Sequence, residues 1–532
     1  MVSTQSALQD SKCDPRSNLA DLNPSEMSDI KAHFKSHPLQ AIILLALTLR
    51  ILAAFFAKGY MMHDDHFLII ETSAGWADGH DYNNWLPWSP GCAGPSGHSF
   101  FYPGIHFLIF KIFNFIGLHD PQTQMLFIRL LHALYSLLIV TLGYKIAVRL
   151  AGEKTALRSA LVLAVLAFLP NFSVRNLVEM ASIPPLIAAV LSMMNFDQSK
   201  KLKHVLWAGL WVGIAAGIRY QTGLFGAGLG LFLLWQKEWR GALVLAASFA
   251  LTFFLTQATD LFIWHRPFAE LTEYVRYNFT SGGEYVVLPW YTYLLTIAGY
   301  LVPPFSLILV WGFAKNARKH LITFLPVIVF ILVHSIIGNK QERFILPVLP
   351  FIIISGLAYW QSENLSEKLR KVLRAGWVSF WVLNTMGLAI LTFSYGKKAR
   401  VEAMYFLYKN QVTQPVVIEY SFREEVRYPP QFYSGIWGKY YLVDKGTNLT
   451  AMSDYLTTLE PEGQPAFALF YENIELAERT KRFEEEVRPL SFEAKIEPSW
   501  FDRLLHLINP NNRLEEVFIY RVQPAHPTTE GN

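Results

Sequence analysis

Apolar segments recur along this chain and restrict what it can fold into. Of its 532 residues, 52% are hydrophobic and only 17% are charged, which is too apolar for an ordinary soluble protein. A helix crosses the bilayer core with about 20 apolar residues, and eleven segments approach that length. We therefore predict an all-α polytopic membrane protein with about 11 transmembrane helices. The segments are residues 39–57, 125–149, 156–170, 179–195, 204–218, 222–235, 241–259, 291–313, 320–337, 344–360 and 375–394.

The stretch 101–118 could either cross the membrane or lie on its surface, because His106 and Lys111 interrupt it. Cytoplasmic loops are enriched in lysine and arginine. If 101–118 does not cross, all the basic clusters fall on one side, so we predict a juxtamembrane helix there. The clusters are Lys31/Lys35, Arg149/Lys154/Arg158, Lys200/Lys201/Lys203, Lys237/Arg240, Lys315/Arg318/Lys319 and Lys368/Arg370/Lys371/Arg374.

This topology divides the chain into three parts: a cytoplasmic tail at 1–38, a membrane domain at 39–395 and an extracytoplasmic domain at 396–532. The loops 58–124 and 260–290 then also face the outside. In the third part, short apolar runs separated by polar stretches predict strands and a small α/β domain. The runs are Val416–Ile418, Tyr440–Val443, Phe467–Phe470 and Val517–Tyr520, with a helical pattern at Leu476–Glu486.

Charge and cysteine content exclude some classes of protein. The formal net charge is only +4, which gives no support for nucleic-acid binding. The two cysteines, Cys13 and Cys92, fall on opposite sides of the first predicted span, so we do not expect a disulfide between them.

Two adjacent carboxylates, Asp64 and Asp65, follow the first span and are flanked by His63 and His66. Ionisable groups at a membrane boundary are costly to desolvate and often functional. The pair predicts a general base with a supporting carboxylate, although a solvated acidic helix end is equally compatible with the pattern. Neighbouring residues seldom converge on one ion without a distant ligand, so we expect no metal site.

Positive charge at the predicted outer boundary is unusual and occurs at Arg219, Lys340 and Arg343. These side chains could hold a phosphate, whereas Arg219 could instead extend to lipid headgroups. Glu179, at the outer entry of another span, is either a further acidic site residue or a favourable carboxylate at a helix N-terminus.

Loop 260–290 combines polar donors with aromatic residues. Tryptophan and tyrosine are common at membrane interfaces, but the density of donors beside them favours sugar binding. The candidate substrate-binding residues in this region are His265, Arg266, Asn278, Tyr285 and Trp290.

Together these segments resemble the Alg9-like mannosyltransferases, glycosyltransferase family 22 of the GT-C superfamily. That family has a His-Pro-Asp-Glu-x-Phe motif in its first outer loop, and Asp64 and Asp65 match its acidic pair when Phe67 is aligned. Met62 and His63 replace the His-Pro of the motif.

Three later segments extend the resemblance over most of residues 40–360. The family's Arg-Pro-Thr segment is similar to Arg219–Thr222, and its His-Lys-Glu-x-Arg-Phe motif to Asn339–Phe344, with Asn339 and Gln341 as departures. Its Asn-Phe and Tyr-Gly-x-x-Pro-Trp-x-x-Tyr segments resemble Asn278–Phe279 and Tyr285–Tyr293, where Val286 replaces the glycine.

The resemblance implies an inverting transfer of a sugar, usually mannose, from a polyprenyl- or dolichyl-phosphate donor to a glycan or glycolipid acceptor. It implies no cofactor, no nucleotide sugar and no obligatory metal. The expected setting is the extracytoplasmic side of a bacterial inner membrane or of the endoplasmic reticulum membrane. Asp64 would be the base, Asp65 its partner, and Lys340, Arg343 and Arg219 the phosphate ligands.

Two alternatives remain at this stage. Within the same class, the donor could carry another lipid-linked sugar, such as arabinose or a hexose. A transporter or flippase of lipid-linked sugars is the rival from another class, but it would more often show inverted repeats and charges in mid-membrane. Here the charges gather at the outer boundary.

Overall fold

The computed structural model describes residues 36–280, 287–362 and 365–524. Apolar segments form helices because backbone polar groups in a bilayer must be paired within the segment. The helices before the C-terminal domain are Pro38–Phe56, His63–His66, Thr72–Ala77, Phe101–Phe115, Pro121–Val165, Phe168–Ser173, Val178–Ser199, Leu202–Ile218, Gly223–Trp235, Trp239–Thr256, Thr259–Ile263, Ala269–Thr280, Thr292–Tyr300, Phe305–Lys315, Leu321–Ile336, Leu349–Ser362 and Glu367–Thr392.

Six of the described helices are long and apolar enough to cross a membrane, and two shorter apolar helices accompany them. The predicted span 291–313 is not one straight helix. It consists of Thr292–Tyr300 and Phe305–Lys315, bent by 117°, and would add a seventh crossing if the pair is one span. The break contains Pro303 and Pro304, whose backbone nitrogens cannot donate helical hydrogen bonds.

The predicted span 125–149 and most of the span 156–170 lie within the 45-residue element Pro121–Val165, and the end of the second span enters the separate helix Phe168–Ser173. The element is interrupted at Ala151 and Gly152, where the glycine has a φ of 77°. Glycine adopts this left-handed region without a Cβ clash. The interruption therefore separates the two apolar segments at the place where the sequence pattern separates them.

The helix Phe101–Phe115 has the character expected of a juxtamembrane helix. Its 15 residues are too few for an ordinary span. Phe110 and Phe113 are buried while Leu108 and Phe115 are exposed, the two-faced pattern of an interfacial helix. It packs on the helix Thr72–Ala77, where the Ser73 hydroxyl donates to the Pro103 carbonyl over 2.8 Å.

The C-terminal domain is a five-stranded sheet in the order β2-β1-β3-β5-β4. The strands are β1 (Val416–Glu419), β2 (Tyr440–Val443), β3 (Phe467–Tyr471), β4 (Leu490–Ile496) and β5 (Val517–Val522), and the helices are Lys398–Lys409, Leu449–Thr457, Leu476–Glu486 and Trp500–Ile508.

Strand β1 pairs in parallel with β2 and β3, and β5 is antiparallel to β3 and β4. The predicted all-α membrane fold with a small α/β domain is confirmed. Strand β4 escaped prediction because its polar, mostly half-exposed sequence LSFEAKI lacks an apolar run.

One apolar cluster joins the C-terminal domain to the loop after the first span. Phe67 and Ile70 from that loop, Phe110 from the juxtamembrane helix and Met404 and Phe432 from the C-terminal domain belong to the same buried cluster. The domain therefore packs directly on the segment that carries the acidic pair.

Candidate active site

A cavity of about 640 Å³ lies where the first loop meets the ends of the membrane helices. Polar side chains from six separate parts of the chain line it. They include His63, Asp64, Asp65, Ser96, His98, Ser99, Asn176, Glu179, Arg219, Tyr220, Gln221, Tyr274, Tyr277, Asn278, His334, Gln341 and Arg343. The aromatic rings and hydrogen-bonding groups of this lining suit a sugar with a charged neighbour.

Asp64, Glu179, Arg219 and Arg343 form one ion-pair network. The Arg343 guanidinium donates through Nη2 to Asp64 Oδ2 over 2.5 Å and through Nε to Glu179 Oε1 over 3.0 Å. Arg219 Nη1 lies 3.0 Å from the same Glu179 oxygen. The Phe344 ring lies 4.4 Å from the Arg219 guanidinium and 5.4 Å from that of Arg343. One carboxylate thus holds two arginines side by side, an arrangement that can bind an anion.

The two aspartates occupy different environments. Both belong to the first turn of the short helix His63–His66, where consecutive side chains point about 100° apart. The Asp64 side chain is 39% exposed and Asp65 is buried. Asp65 Oδ2 accepts from the Met61 backbone over 3.5 Å, and its Oδ1 has no partner. Burial raises the pKa of the Asp65 carboxyl to about 6.

The C-terminal domain supports the helix that carries the aspartates. His66 Nε2 and Glu71 Oε1 lie 2.8 Å apart and both side chains are buried. The other Glu71 oxygen accepts from the Phe432 backbone over 3.0 Å. The His66 ring stacks between Tyr60 and Tyr433, with centroids at 4.9 and 5.3 Å. These contacts hold His66, which belongs to the same short helix as Asp64 and Asp65.

The segment 96–99 forms another wall, and Glu270 holds it in place. The Glu270 carboxylate accepts from the Gly97 backbone over 2.7 Å, from the Ser96 hydroxyl over 2.9 Å and from the Trp264 ring nitrogen over 2.8 Å. Burial raises the pKa of the Glu270 carboxyl to about 7. These bonds tie the wall to the helix Ala269–Thr280, which also contributes Tyr274 to the cavity.

An apolar groove of about 670 Å³ adjoins this cavity, and Ile218 lines both. The groove and the cavity also lie close together at two consecutive residues, since Tyr102 lines the groove and Pro103 lines the cavity. Along the helix Val178–Ser199, the groove extends from Ala181 to Asn195, about 20 Å at 1.5 Å per residue. Its other walls include Ile105, Leu138, Leu142, Pro184, Leu191 and Trp211.

The structure brings six of the predicted site residues together around the cavity: Asp64, Asp65, Glu179, Arg219, Asn278 and Arg343. Four others do not line it. Lys340 is buried and its Nζ donates to the Ile337 carbonyl. His265 and Arg266 are exposed after the helix Thr259–Ile263, and Trp290 is exposed against Tyr291. Tyr285 lies outside the described residues.

Sequence reasoning missed several residues of the cavity, among them Ser96, His98, Tyr220 and Tyr274. No local motif identifies them, because they reach the cavity through contacts between segments distant in sequence, such as Ser96 with Glu270, 174 residues apart, and Gln221 with Tyr274, 53 residues apart. Among the described residues, no cluster of three or more His, Cys, Asp or Glu side chains has a metal-binding arrangement.

The fold is shared with two enzymes of known structure. ArnT from Cupriavidus metallidurans, solved with bound undecaprenyl phosphate, aligns with a TM-score of 0.59 at 15% identity, over 91% of this chain and 98% of that chain. An Archaeoglobus fulgidus oligosaccharyltransferase, solved with zinc and sulfate, aligns with a TM-score of 0.52 at 11% identity, over 84% of this chain and 69% of that chain. The architecture is therefore of the GT-C type.

Sequence relatives are more specific. Mannosyltransferase APTG1 of Arabidopsis thaliana is 25% identical over 60% of this chain, and the match spans 59% of that relative's length, less than two thirds. GPI mannosyltransferase 3 of Yarrowia lipolytica is 22% identical over 73% of this chain and 74% of its own. GPI alpha-1,2-mannosyltransferase 3 of Mus musculus is 24% identical over 69% of this chain and 66% of its own length.

The profile of the Alg9-like mannosyltransferase family matches residues 41–432, which include the acidic pair, the arginines and the segments that join them. The match covers well over half of the chain, and it confirms the resemblance seen in the motifs. This protein belongs to the Alg9-like mannosyltransferase family.

Proposed function

We propose that the protein transfers mannose from a polyprenyl- or dolichyl-phosphate donor to a glycan or glycolipid acceptor, on the extracytoplasmic side of its membrane. The observation that carries the proposal is the convergence of Asp64, Arg219 and Arg343 on a cavity that opens into an apolar groove. Relatives named as mannosyltransferases and a fold neighbour solved with undecaprenyl phosphate support it.

The two compartments of the site match the two parts of the donor. In a lipid-phosphate sugar, the reacting carbon is one phosphate away from the hydrocarbon chain. The chain must therefore begin close to the catalytic carboxylate. The groove meets the cavity at Ile218, next to Arg219. We place the hydrocarbon in the groove, the phosphate at Arg219 and Arg343, and mannose in the cavity.

The acceptor hydroxyl attacks the anomeric carbon from the face opposite the phosphate, so a β-linked donor gives an α-linked product. Asp64 takes the hydroxyl proton as the new C–O bond forms and the bond to the phosphate oxygen breaks. The lipid phosphate leaves with the electron pair, and the guanidinium groups stabilise its growing charge. Removing one donor of this kind typically costs ~10²–10³-fold in turnover.

Arg343 links donor binding to the base. Its guanidinium contacts Asp64 Oδ2 and Glu179 Oε1. A phosphate competes with these carboxylates for the same donors, so its arrival releases Asp64 to accept a proton. Asp65, buried behind its neighbour, supports the helix and the local charge. Lys340 has no part in this proposal, since its ammonium is directed to the Ile337 carbonyl.

The test is a reaction of the purified protein with synthetic polyprenyl-phosphate mannose and a panel of mannosides and glycolipids. We expect free polyprenyl phosphate, detected by mass spectrometry, and an α-linked mannosyl product, assigned by NMR. Parallel reactions with glucose and arabinose donors test the sugar. A preference for one of these would replace mannose in the proposal. Movement of the intact donor across a vesicle membrane without release of polyprenyl phosphate would contradict a transferase and favour a transporter.

A further inference from the structure

The helix Trp500–Ile508 of the C-terminal domain leaves an apolar face uncovered within the described chain. Trp500, Leu507 and Ile508 are 49%, 80% and 71% exposed. At 3.6 residues per turn they share one side of the helix with Leu504. Neighbouring exposed apolar side chains on one helix face are typical of an interaction surface.

This helix is fixed to the place where the chain leaves the last long membrane helix, which ends at Thr392. The Ser499 hydroxyl donates to the Tyr395 carbonyl over 2.6 Å. Asp502, in the first turn, accepts from the backbone nitrogens of Lys397 and Lys398 over 2.8 and 3.1 Å. The N-terminus of the helix therefore lies within a few residues of the membrane boundary.

The helix also joins two strands at the end of the sheet that lies near the loop after the first span. It connects the end of β4 to the start of β5, where Ile496 pairs with Val517. Close to that end, Glu515 forms an ion pair with Arg400 over 2.6 Å. Arg400 in turn lies 3.5 Å from the hydroxyl of Tyr60, four residues after the first span. The segment that follows the helix thus also returns to the start of the C-terminal domain, close to Tyr60.

Exposed apolar surface continues from the membrane helices toward this end of the sheet. Phe56 ends the helix Pro38–Phe56, and Phe393 follows the helix Glu367–Thr392. Their rings are in contact at 5.1 Å, and both side chains are exposed. The uncovered face of Trp500–Ile508 begins close by, because Tyr395, two residues after Phe393, accepts the hydrogen bond from Ser499, the residue directly before Trp500.

We propose that Trp500–Ile508 is an interfacial helix whose apolar face lies in the boundary between lipid headgroups and acyl chains. Its partner is the bilayer that the neighbouring helices cross. Such helices enter this boundary by ~5–10 Å. Nine residues alone would bind weakly, but attachment at Tyr395 and Lys397 makes the contact intramolecular and raises its effective concentration.

The contact would give the C-terminal domain a second point of support on the membrane. The domain contributes the backbone nitrogen of Phe432 to Glu71, whose other oxygen holds His66 beside the acidic pair. An interfacial helix would therefore help to set the distance of the domain from the bilayer above the catalytic cavity.

The test uses the full chain with Cys13 and Cys92 replaced by serine. Leu507→Cys and Ile508→Cys are labelled separately with a small fluorophore, and the protein is placed in nanodiscs with nitroxide lipids. The nitroxide is either at the headgroup or deep in the acyl chain. We expect strong quenching by the shallow nitroxide, weaker quenching by the deep one, and a depth of ~5–10 Å.

Tyr455→Cys is the matched control. Tyr455 is 54% exposed and lies on the helix Leu449–Thr457, which leads to the start of β3. That end of β3 is opposite to the end at Tyr471. Its label should escape quenching by both nitroxides. Equal quenching at 455 and 507 would overturn the proposal, as would a disulfide between two copies through Leu507→Cys, which would assign the face to a second copy of the chain.

Discussion

Asp64 and Asp65 are adjacent in sequence but occupy different environments. The first faces the cavity and an arginine, while the second is buried with one unpartnered oxygen. The pair and the arginines could be predicted, because charge at a membrane boundary is costly and conspicuous in an apolar chain. The ion pair between Asp64 and Arg343 could not be predicted, because the two residues are 279 positions apart in the sequence.

Asp64→Asn should lower turnover by at least ~10²-fold, since a positioned general base contributes ~10²–10⁴-fold. The amide has nearly the same size and can still hydrogen-bond, so the thermal midpoint in detergent should change little. Release of polyprenyl phosphate measures the effect. Asp65→Asn should leave more activity, and the reverse order would exchange the two roles.

Arg343→Ala should raise the donor Michaelis constant and also slow turnover, because the guanidinium is needed most as charge grows on the leaving phosphate. Lys340→Ala serves as the control: it removes a positive charge three residues away whose Nζ is directed to a backbone carbonyl. We expect donor kinetics close to wild type for it. Equal losses in both variants would place Lys340 at the phosphate as well.

Asp65 should make stability depend on pH. Its pKa is raised from 3.8 to about 6 by burial, so the folded state binds the proton more tightly. The resulting stabilisation is fully present below pH 3.8 and is lost as the pH rises through 6, a total of about 3 kcal/mol for two pKa units. The thermal midpoint should therefore fall less between pH 4.5 and 7.5 in Asp65→Asn than in wild type. An unchanged slope would contradict this.

Helices and strands follow local sequence except where tertiary packing or proline intervenes. The apolar patterns located most membrane helices, yet they could not show the 117° bend in the segment 292–315. They also missed β4, which is stabilised by pairing with β5 rather than by its own composition. Close helix packing is a further property that composition does not reveal.

Glycines of the helix Gly223–Trp235 provide a direct comparison. A Cβ at Gly228 would lie 2.3 Å from Pro326 Cα, in the backbone of the helix Leu321–Ile336, whereas one at Gly230 would meet nothing within 4 Å. We expect Gly228→Ala to destabilise the protein by ~1–3 kcal/mol through overpacking. Gly230→Ala should be neutral or slightly stabilising, because alanine favours the helix. Thermal unfolding in detergent distinguishes the two.

The protein combines a multi-pass membrane domain with a C-terminal domain that packs on the loop carrying Asp64 and Asp65. Family and architecture could be predicted from ordered motifs and apolar spans, and both are confirmed. The walls formed by residues 96–99 and by Tyr274 could not be predicted, because they exist only after segments distant in sequence meet. The side of the membrane on which the cavity opens rests on the distribution of basic residues.

The distribution of lysine and arginine residues predicts that the N-terminal tail and the basic clusters are cytoplasmic and that the C-terminal domain is extracytoplasmic. In the chain with Cys13 and Cys92 replaced by serine, Glu153→Cys reports the exposed turn between Arg149 and Lys154. Tyr455→Cys reports the side of the membrane on which the C-terminal domain lies. In intact cells or sealed membranes of native orientation, an impermeant maleimide should label position 455 only, and permeabilisation should expose 153. Labelling of 153 alone would invert the topology, and with it the leaflet from which the donor enters.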